Sequence, residues 1–136
     1  MTVPLSIANF VAEVRAYIRD FAELNRLISG EETSSSMIGY CVYLAIEEFN
    51  ETGHTTGFGI ADFPSRGILL QLTITHMLMS VGILKSRNKF NYSDGGWTSE
   101  TEQQDGLYQN WINLIRSQVT PRMQHVKIRM NIAGGW

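Results

Sequence analysis

The residues that could carry acid–base or metal chemistry are scattered along this chain of 136 residues. His54, His76 and His125 lie far apart, and none stands four positions from another histidine or from a cysteine, the spacing at which one helix face holds a metal ion. The sequence therefore predicts no metal site and no cofactor. His76 lies in the most apolar segment, where a buried histidine bonded to a backbone carbonyl is favoured over a ligand or a catalytic base.

Two pairs of adjacent glutamates, at 31–32 and 47–48, are the other candidates for catalysis. Neighbouring residues on a helix point about 100° apart, so the members of a pair cannot act on one substrate and are expected on solvated faces. An enzyme that uses His76 or Asp62 in a pocket between helices is the hypothesis with the least support. We expect a protein that is not an enzyme.

Glycine-rich and basic segments match no phosphate-binding or nucleic-acid motif. Gly57–Gly59 and Gly95–Gly96 lack the Lys-Ser/Thr pair and the preceding strand of a phosphate loop, so they are interpreted as turns. Residues 87–92 combine two cations with two aromatic residues, but so few cations favour packing on the chain itself or on a neighbouring subunit over binding a single strand. The formal net charge of −2 argues against a tight grip on DNA and leaves brief contact open.

Helices must position these residues, because apolar side chains recur three and four positions apart along most of the chain. The pattern predicts an all-α fold, a small four-helix bundle in which the third and most apolar helix is central. A polar break at 86–97 precedes the last helix. The predicted apolar faces run from Ile7 to Phe21 and on towards Gly30, with a kink expected between Asp20 and Asn25, from Ile38 to Phe49, from Ile68 to Leu84, and from Leu107 to Val119.

Capping residues and helix breakers mark the ends of these helices. Ser6 and the serines at 34–36 offer side-chain oxygens to the first backbone N–H groups of a helix, and Pro64 suits a first turn. Residues 51–63, with three glycines, form a long connection between the second and third helices. Pro121 is expected to end or kink the last helix.

Length and composition fit one domain that buries a core without disulfides or metals, since 43% of the residues are apolar and 18% charged. Cys41, the single cysteine, suits a reducing compartment and a place in the core. Residues 1–5 lack the basic and apolar regions of a signal peptide, so we expect no export. Polar residues interrupt the stretch Ile68–Leu84, so we expect a buried helix and no association with a membrane.

The last eleven residues, Val126–Trp136, alternate between apolar and polar like a β-strand. They predict an extended C-terminal β-like arm at 126–136 after a helical domain at 1–125. No upstream run offers a hairpin partner, so the arm is expected to pair with another chain. A frayed end is the alternative, but it would leave several large apolar side chains in water.

In their order along the chain, these features resemble the head–tail connector, or adaptor, proteins of tailed bacteriophages. The resemblance covers nearly the whole chain, although Pro121 and the long tail depart from the family's usual ending. The matching segments are Val14–Phe21 with Asn25 beyond, Glu31–Ser36, Ala45–Asn50, Arg87–Gly96, and the tail around Lys127 and Asn131.

The resemblance implies a structural protein of the virion neck that assembles in the host cytoplasm. Typically twelve copies form a ring that binds the portal and other neck or tail proteins, and DNA passes transiently through the lumen. The alternative is a small helical adaptor or regulator that captures one partner through its last helix and tail. The predicted protein interface consists of Val126, Ile128, Met130, Ile132, Trp136, Arg87, Lys89, Tyr92 and Phe58.

Overall fold

The chain forms four helices, and no strand occurs among the residues described. The computed structural model describes residues 6–20, 33–53, 55–91 and 98–132, with side chains for 6–20, 33–53, 55–84 and 108–130. The helices are α1 (Ile7–Ile18), α2 (Ser35–Glu51), α3 (Arg66–Asn91) and α4 (Thr98–Ile132). The predicted all-α helical bundle is confirmed. The long connection between the second and third helices is also present.

Serine side chains begin the first two helices, as predicted. The Asn9 backbone N–H donates to Ser6 Oγ over 3.2 Å, and the Met37 N–H donates to Ser34 Oγ over the same distance. Each bond satisfies one of the donors that the first turn of a helix leaves without a carbonyl partner, which typically stabilises a helix by about 1 kcal/mol.

The first helix ends earlier than its apolar pattern predicts. Arg19 adopts a left-handed conformation with φ of 57°, which closes α1 after Ile18. Asp20 is buried beyond this turn, and its carboxylate accepts hydrogen bonds from Arg15 Nη1 at 3.1 Å and from the Thr33 backbone N–H at 2.7 Å. These bonds hold the turned chain where the predicted kink begins, at Asp20. Residues 21–32 lie outside the described part.

One cluster of apolar side chains from all four helices forms the core. α3 contacts each of the other helices, which confirms its predicted central position. Cys41 is buried in the cluster, as predicted, and burial raises the pKa of its thiol. Each large apolar side chain that is fully buried contributes roughly 1.5–3 kcal/mol. The main contributors are Phe10, Val14, Ile38, Val42, Phe49, Ile68, Leu69, Leu72, Val119 and Met123.

α3 also has the length and apolar composition of a membrane-spanning helix. Arg66–Leu84 is long and apolar enough to cross a bilayer, and it is the single such segment among the described residues. About 39% of it is buried inside the fold. A core helix passes the same test of length and composition, and α3 packs on α1, α2 and α4.

The fourth helix continues where a strand was predicted. α4 passes through Pro121 and ends at Ile132, so Val126–Ile132 is helical and the predicted β-like arm is wrong over these residues. Three residues at helical spacing pack on the core: Val119, Met123 and Val126. Their burial favours a helix over the strand that the alternating pattern predicted. The helix also satisfies its own backbone groups, so no partner strand is needed. Residues 133–136 lie outside the described part.

α1 and α4 flank α2 on opposite sides. A methyl group at Gly39 would lie 3.8 Å from Ile7 Cγ2 and 3.9 Å from Val11 Cγ2, so α1 lies against that side of α2. Glu48, which contacts α4 through Arg116, follows Gly39 by nine residues, or two and a half helical turns. The two contacts therefore point about 180° apart around α2.

α2 and α4 run parallel to each other. Glu48 contacts Arg116, and Thr52, just past the end of α2, contacts Lys127 further along α4. The later residue of the first segment thus contacts the later residue of α4, as in two parallel helices. α3 packs against both helices.

Candidate functional site

A polar cluster joins α2, α3 and α4 at their common border. Both Nη atoms of Arg116 donate to the two carboxylate oxygens of Glu48, over 3.0 and 3.2 Å. His76 Nε2 lies 2.9 Å from Glu48 Oε1. Glu48 was expected on a solvated face with Glu47, but only 21% of its side chain is exposed. Glu47 is exposed, as predicted.

The cluster favours the charged form of Glu48. Contact with His76 and hydrogen bonds from Arg116 lower the pKa of Glu48 against the opposing effect of burial. His76 Nε2 is buried, and its N–H direction is not aligned for a hydrogen bond with the carboxylate. The predicted bond from His76 to a backbone carbonyl is not found at this nitrogen.

The arrangement around His76 is that of a tie between helices. A carboxylate that orients an imidazole is a common part of a general base, but a base must also reach a substrate in a pocket. The two cavities described below do not include Glu48, His76 or Arg116 in their walls. Asp62, the other predicted catalytic candidate, is exposed and accepts a hydrogen bond from the Gly59 N–H at 2.7 Å.

Metal-ligating side chains do not converge in the described part of the chain. No group of three or more His, Cys, Asp or Glu residues there is placed to hold an ion. His125 is exposed on α4, whereas His54 lies outside the described residues.

Lys127 binds the end of α2. Its ammonium donates to the backbone oxygens of Asn50, at 3.5 Å, and Thr52, and it lies 4.8 Å from the centre of the Phe49 ring. A cation at these carbonyls complements the negative end of the α2 dipole. Only 5% of Lys127 is exposed, and burial lowers its pKa. The tail that sequence reasoning detached from the domain therefore contributes a side chain to the core.

The connection between α2 and α3 is organised by Asn50. Its Nδ2 donates to the Phe58 carbonyl at 2.9 Å, and its Oδ1 accepts from the Phe58 N–H at 3.1 Å and from Thr56 Oγ1 at 3.0 Å. The Phe58 ring packs on Phe49 with 6.1 Å between ring centres. Phe58, a predicted interface residue, is thus half-buried against its own chain, and its role towards a partner stays a prediction.

The predicted interface residues of the tail have different environments. Val126 is half-buried against the core, and Met130 is half-buried. Ile128 is 58% exposed on the opposite side of α4. Ile132 is the last residue of α4, but its side chain and all of Trp136 lie outside the described part.

Two of the predicted interface residues before α4, Arg87 and Lys89, lie in the last turns of α3. Arg87 and Lys89 are helical, because α3 continues to Asn91 and the predicted polar break begins later than expected. The side chains of both residues, and Tyr92 as a whole, lie outside the described part.

In the described part of the chain, large apolar side chains are exposed on all four helices: at Tyr17 on α1, at Met79, Ile83 and Leu84 on α3, and on one face each of α2 and α4. The α2 outer face consists of Tyr40, Tyr43, Glu47 and Glu51, all exposed, and the two tyrosines are 58% and 57% exposed. The α4 outer face consists of Trp111, Leu114, Gln118 and Arg122, all exposed, and its tryptophan is 54% exposed. Ile128 is also exposed but lies about 100° from Trp111 around α4. Sequence reasoning found Ile128 but missed the others. Their signal was apolar residues on the polar side of an otherwise amphipathic helix.

Two cavities lie on the surface of the bundle. One, of about 710 Å³, is an open groove between α1 and α2 that is lined by Ile7, Val11, Gly39, Tyr40 and Tyr43. The other, of about 200 Å³, lies where α1 ends, beside α3. Arg19, Asp20, Thr33 and Tyr108 line the second cavity beside apolar residues of α3. The predicted catalytic candidates His76 and Asp62 line neither cavity.

Comparison of the chain with protein-family models, with curated proteins and with solved structures finds no match. In the geometry described above, the exposed apolar helix faces are the features that the chain's own packing does not explain.

Proposed function

We propose that this protein is a structural subunit of an oligomeric ring in the neck of a tailed bacteriophage. The ring lies between the portal and the tail, and DNA passes through its lumen. The ordered sequence features that resemble head–tail connector proteins support this proposal, and so does the four-helix architecture. The observation that carries it is the presence of two exposed apolar helix faces on one bundle.

The position of the two faces favours a ring over a simple dimer. The α2 outer face borders the groove beside α1, and the α4 outer face belongs to the helix on the opposite flank of α2. A contact between two different faces is heterologous, and a heterologous contact repeats from copy to copy until it closes into a ring or extends as a fibre. A two-fold dimer would instead use one self-complementary face.

The overall charge suits a conduit for DNA. A formal net charge of −2 supplies little of the phosphate neutralisation on which non-specific binding depends. A ring of such subunits lets DNA pass during packaging and ejection without holding it.

The second candidate is a small helical adaptor that captures one protein partner. The observation that favours it is Ile128, which is 58% exposed on α4 close to the end of that helix. Because the tail is helical up to Ile132, such an adaptor would bind its partner through a helix face and not by strand addition.

Native mass spectrometry and electron microscopy of the purified chain, alone and mixed with a phage portal protein, separate the two candidates. A ring subunit gives closed particles of many copies, either alone or on the portal. An adaptor gives a complex with a single copy. A chain that stays monomeric or dimeric in the presence of portal would overturn the ring.

A further inference from the structure

Charge is segregated between the two halves of this chain. Residues 27–65 contain six acidic residues and no Lys or Arg, whereas residues 106–136 contain four Lys or Arg and no acidic residue. Glu47 and Glu51 place part of the negative charge on the α2 outer face. Arg122 places positive charge on the α4 outer face. The α2 outer face is therefore negative and the α4 outer face positive, so their charges are complementary. The first two residues of each face are large and apolar or aromatic.

The two faces also share one spacing. The residues of the α2 outer face follow one another at intervals of three, four and four, and those of the α4 outer face do the same. A constant offset of 71 positions relates the two series. It aligns Tyr40 with Trp111, Tyr43 with Leu114, Glu47 with Gln118, and Glu51 with Arg122. When two helices pack in parallel, aligned positions of this kind meet across their seam.

We propose that the partner of the α4 outer face is the α2 outer face of a second copy of this chain, packed in parallel at the offset of 71. The inference rests on the proposed function, since it names the contact that joins neighbouring subunits. Tyr43 packs beside Leu114, and Glu51 pairs with Arg122. Arg122 already donates to Gln71 Oε1 at 2.5 Å, and a guanidinium has five N–H donors, so it bonds both partners.

The groove between α1 and α2 receives the largest side chain of the opposing face. Trp111 stands level with Tyr40 in the proposed alignment, and Tyr40 lines the groove of about 710 Å³. Gly39 lies in the groove wall and leaves room between the helices. An aromatic anchor seated in an apolar pocket is the usual centre of a protein interface.

The same alignment predicts that copies stand level with one another. Within one chain, residues of α2 and the segment after it contact residues of α4 that lie 68, 75 and 77 positions later. The proposed contact between copies has an offset of 71, inside that range. Successive copies therefore require little shift along the helix axes, each residue of shift being about 1.5 Å. A heterologous contact with little axial shift closes into a ring when the rotation between copies also closes, and otherwise it extends as a fibre.

Two interface variants test the pairing when they are mixed. The first, Trp111→Ala with Arg122→Glu, disables the α4 outer face. The second, Tyr43→Ala with Glu51→Ala, disables the α2 outer face. Each alone is expected to be monomeric by analytical ultracentrifugation, with self-association at least about 10-fold weaker than that of the unmodified chain. Mixed, they retain one intact face each and form a one-to-one dimer that grows no further.

Charge exchange and a matched control complete the experiment. A single chain with both Glu51→Arg and Arg122→Glu restores the pair in reverse and is expected to recover most of its self-association. Tyr17, which is 66% exposed on α1 and outside both faces, provides the control. Tyr17→Ala should leave association within about twofold, against a loss of about 10-fold for Tyr43→Ala. Circular dichroism checks that each variant keeps its helices.

The outcomes separate this inference from the proposed function. If both interface variants still form rings, the proposed ring stands and the proposed contact between the α2 and α4 outer faces is refuted. Mixed dimers from variants of a chain that never closes into a ring would retain the contact and overturn the ring. A mixture that stays monomeric while the unmodified chain associates also refutes the pairing. So does an unmodified chain that is monomeric at about millimolar concentration.

Discussion

Replacement of Glu48 by Gln tests whether the polar cluster stabilises the bundle. The substitution keeps the size of the side chain and removes the charge that faces Arg116 and His76. A hydrogen bond to a charged group contributes about 1.5–3 kcal/mol. The Arg116 side chain is 37% exposed, so water screens part of this contribution, and we expect a loss of about 1–2 kcal/mol in the free energy of unfolding. For a domain of this size, that loss lowers Tm by roughly 3–8 °C.

The effect of Glu48→Gln should depend on pH. Contacts with His76 and Arg116 lower the pKa of Glu48 in the folded state, below the value of about 4.3 that an exposed glutamate has in the unfolded chain. The carboxylate therefore stabilises the fold in full above about pH 5, and this contribution is lost as the pH falls through the lowered folded pKa. The difference in free energy of unfolding between the unmodified chain and the Glu48→Gln variant should therefore become smaller below about pH 4.

Chemical denaturation at pH 7 and at pH 3, at protein concentrations where the chain is monomeric, measures both effects. Glu47→Gln is the matched control, because Glu47 is the neighbouring residue on α2 and is exposed. Glu47→Gln should change the free energy of unfolding by no more than about 0.5 kcal/mol at either pH. Equal stabilities of the Glu48 and Glu47 variants at pH 7 would refute the role of the cluster. A difference that persists undiminished at pH 3 would show that the carboxylate charge is not its cause.

Three further substitutions test features of the fold by chemical denaturation. Lys127→Met keeps the apolar stem but removes the cation from the carbonyls at the end of α2. The free energy of unfolding should fall by about 1–2 kcal/mol. An unchanged stability would show that this contact does not stabilise the fold. Gly82→Ala, in the interior of α3 with no atom within 4 Å of the added methyl, should stabilise by about 0.5–1 kcal/mol. Gly53→Ala should cost about 1 kcal/mol, because Gly53 has φ of 66°. The reverse order of these two glycine variants would contradict the backbone geometry.

The helices could be predicted from sequence because their signals are local. Ser6 and Ser34 cap the helices that follow them, and the apolar spacing identified the helices and the central place of α3. The premature end of α1 could not be read in this way. It depends on the bonds from Asp20 to Arg15 and to Thr33, a residue thirteen positions further along, and such a contact leaves no periodic trace.

The tail was misread because two periods coexist in it. Val126, Ile128 and Met130 alternate with polar residues, as a strand requires, while Met123, Val126 and Met130 also follow helical spacing. Local sequence does not choose between these readings. The choice is made by packing, since Val119, Met123 and Val126 meet the core only when the segment is helical.

The polar cluster was missed for a related reason. Arg116 and Glu48 are 68 positions apart, and each taken alone resembles an ordinary surface charge. Both Glu47 and Glu48 were expected on solvated faces, although only Glu47 is exposed. On a helix they point about 100° apart, so one can face a neighbouring helix while the other faces water.

A helical tail changes how this protein is expected to assemble. A strand that pairs with another chain binds largely through backbone groups, which any strand possesses, and it orders only on docking. A helix face is ordered beforehand and binds through side chains at fixed spacing. Its association therefore costs less conformational entropy, and its specificity depends on the match of apolar and charged positions. Exposed charges are screened by salt, so association through these faces should weaken as ionic strength rises, whereas strand pairing should respond little.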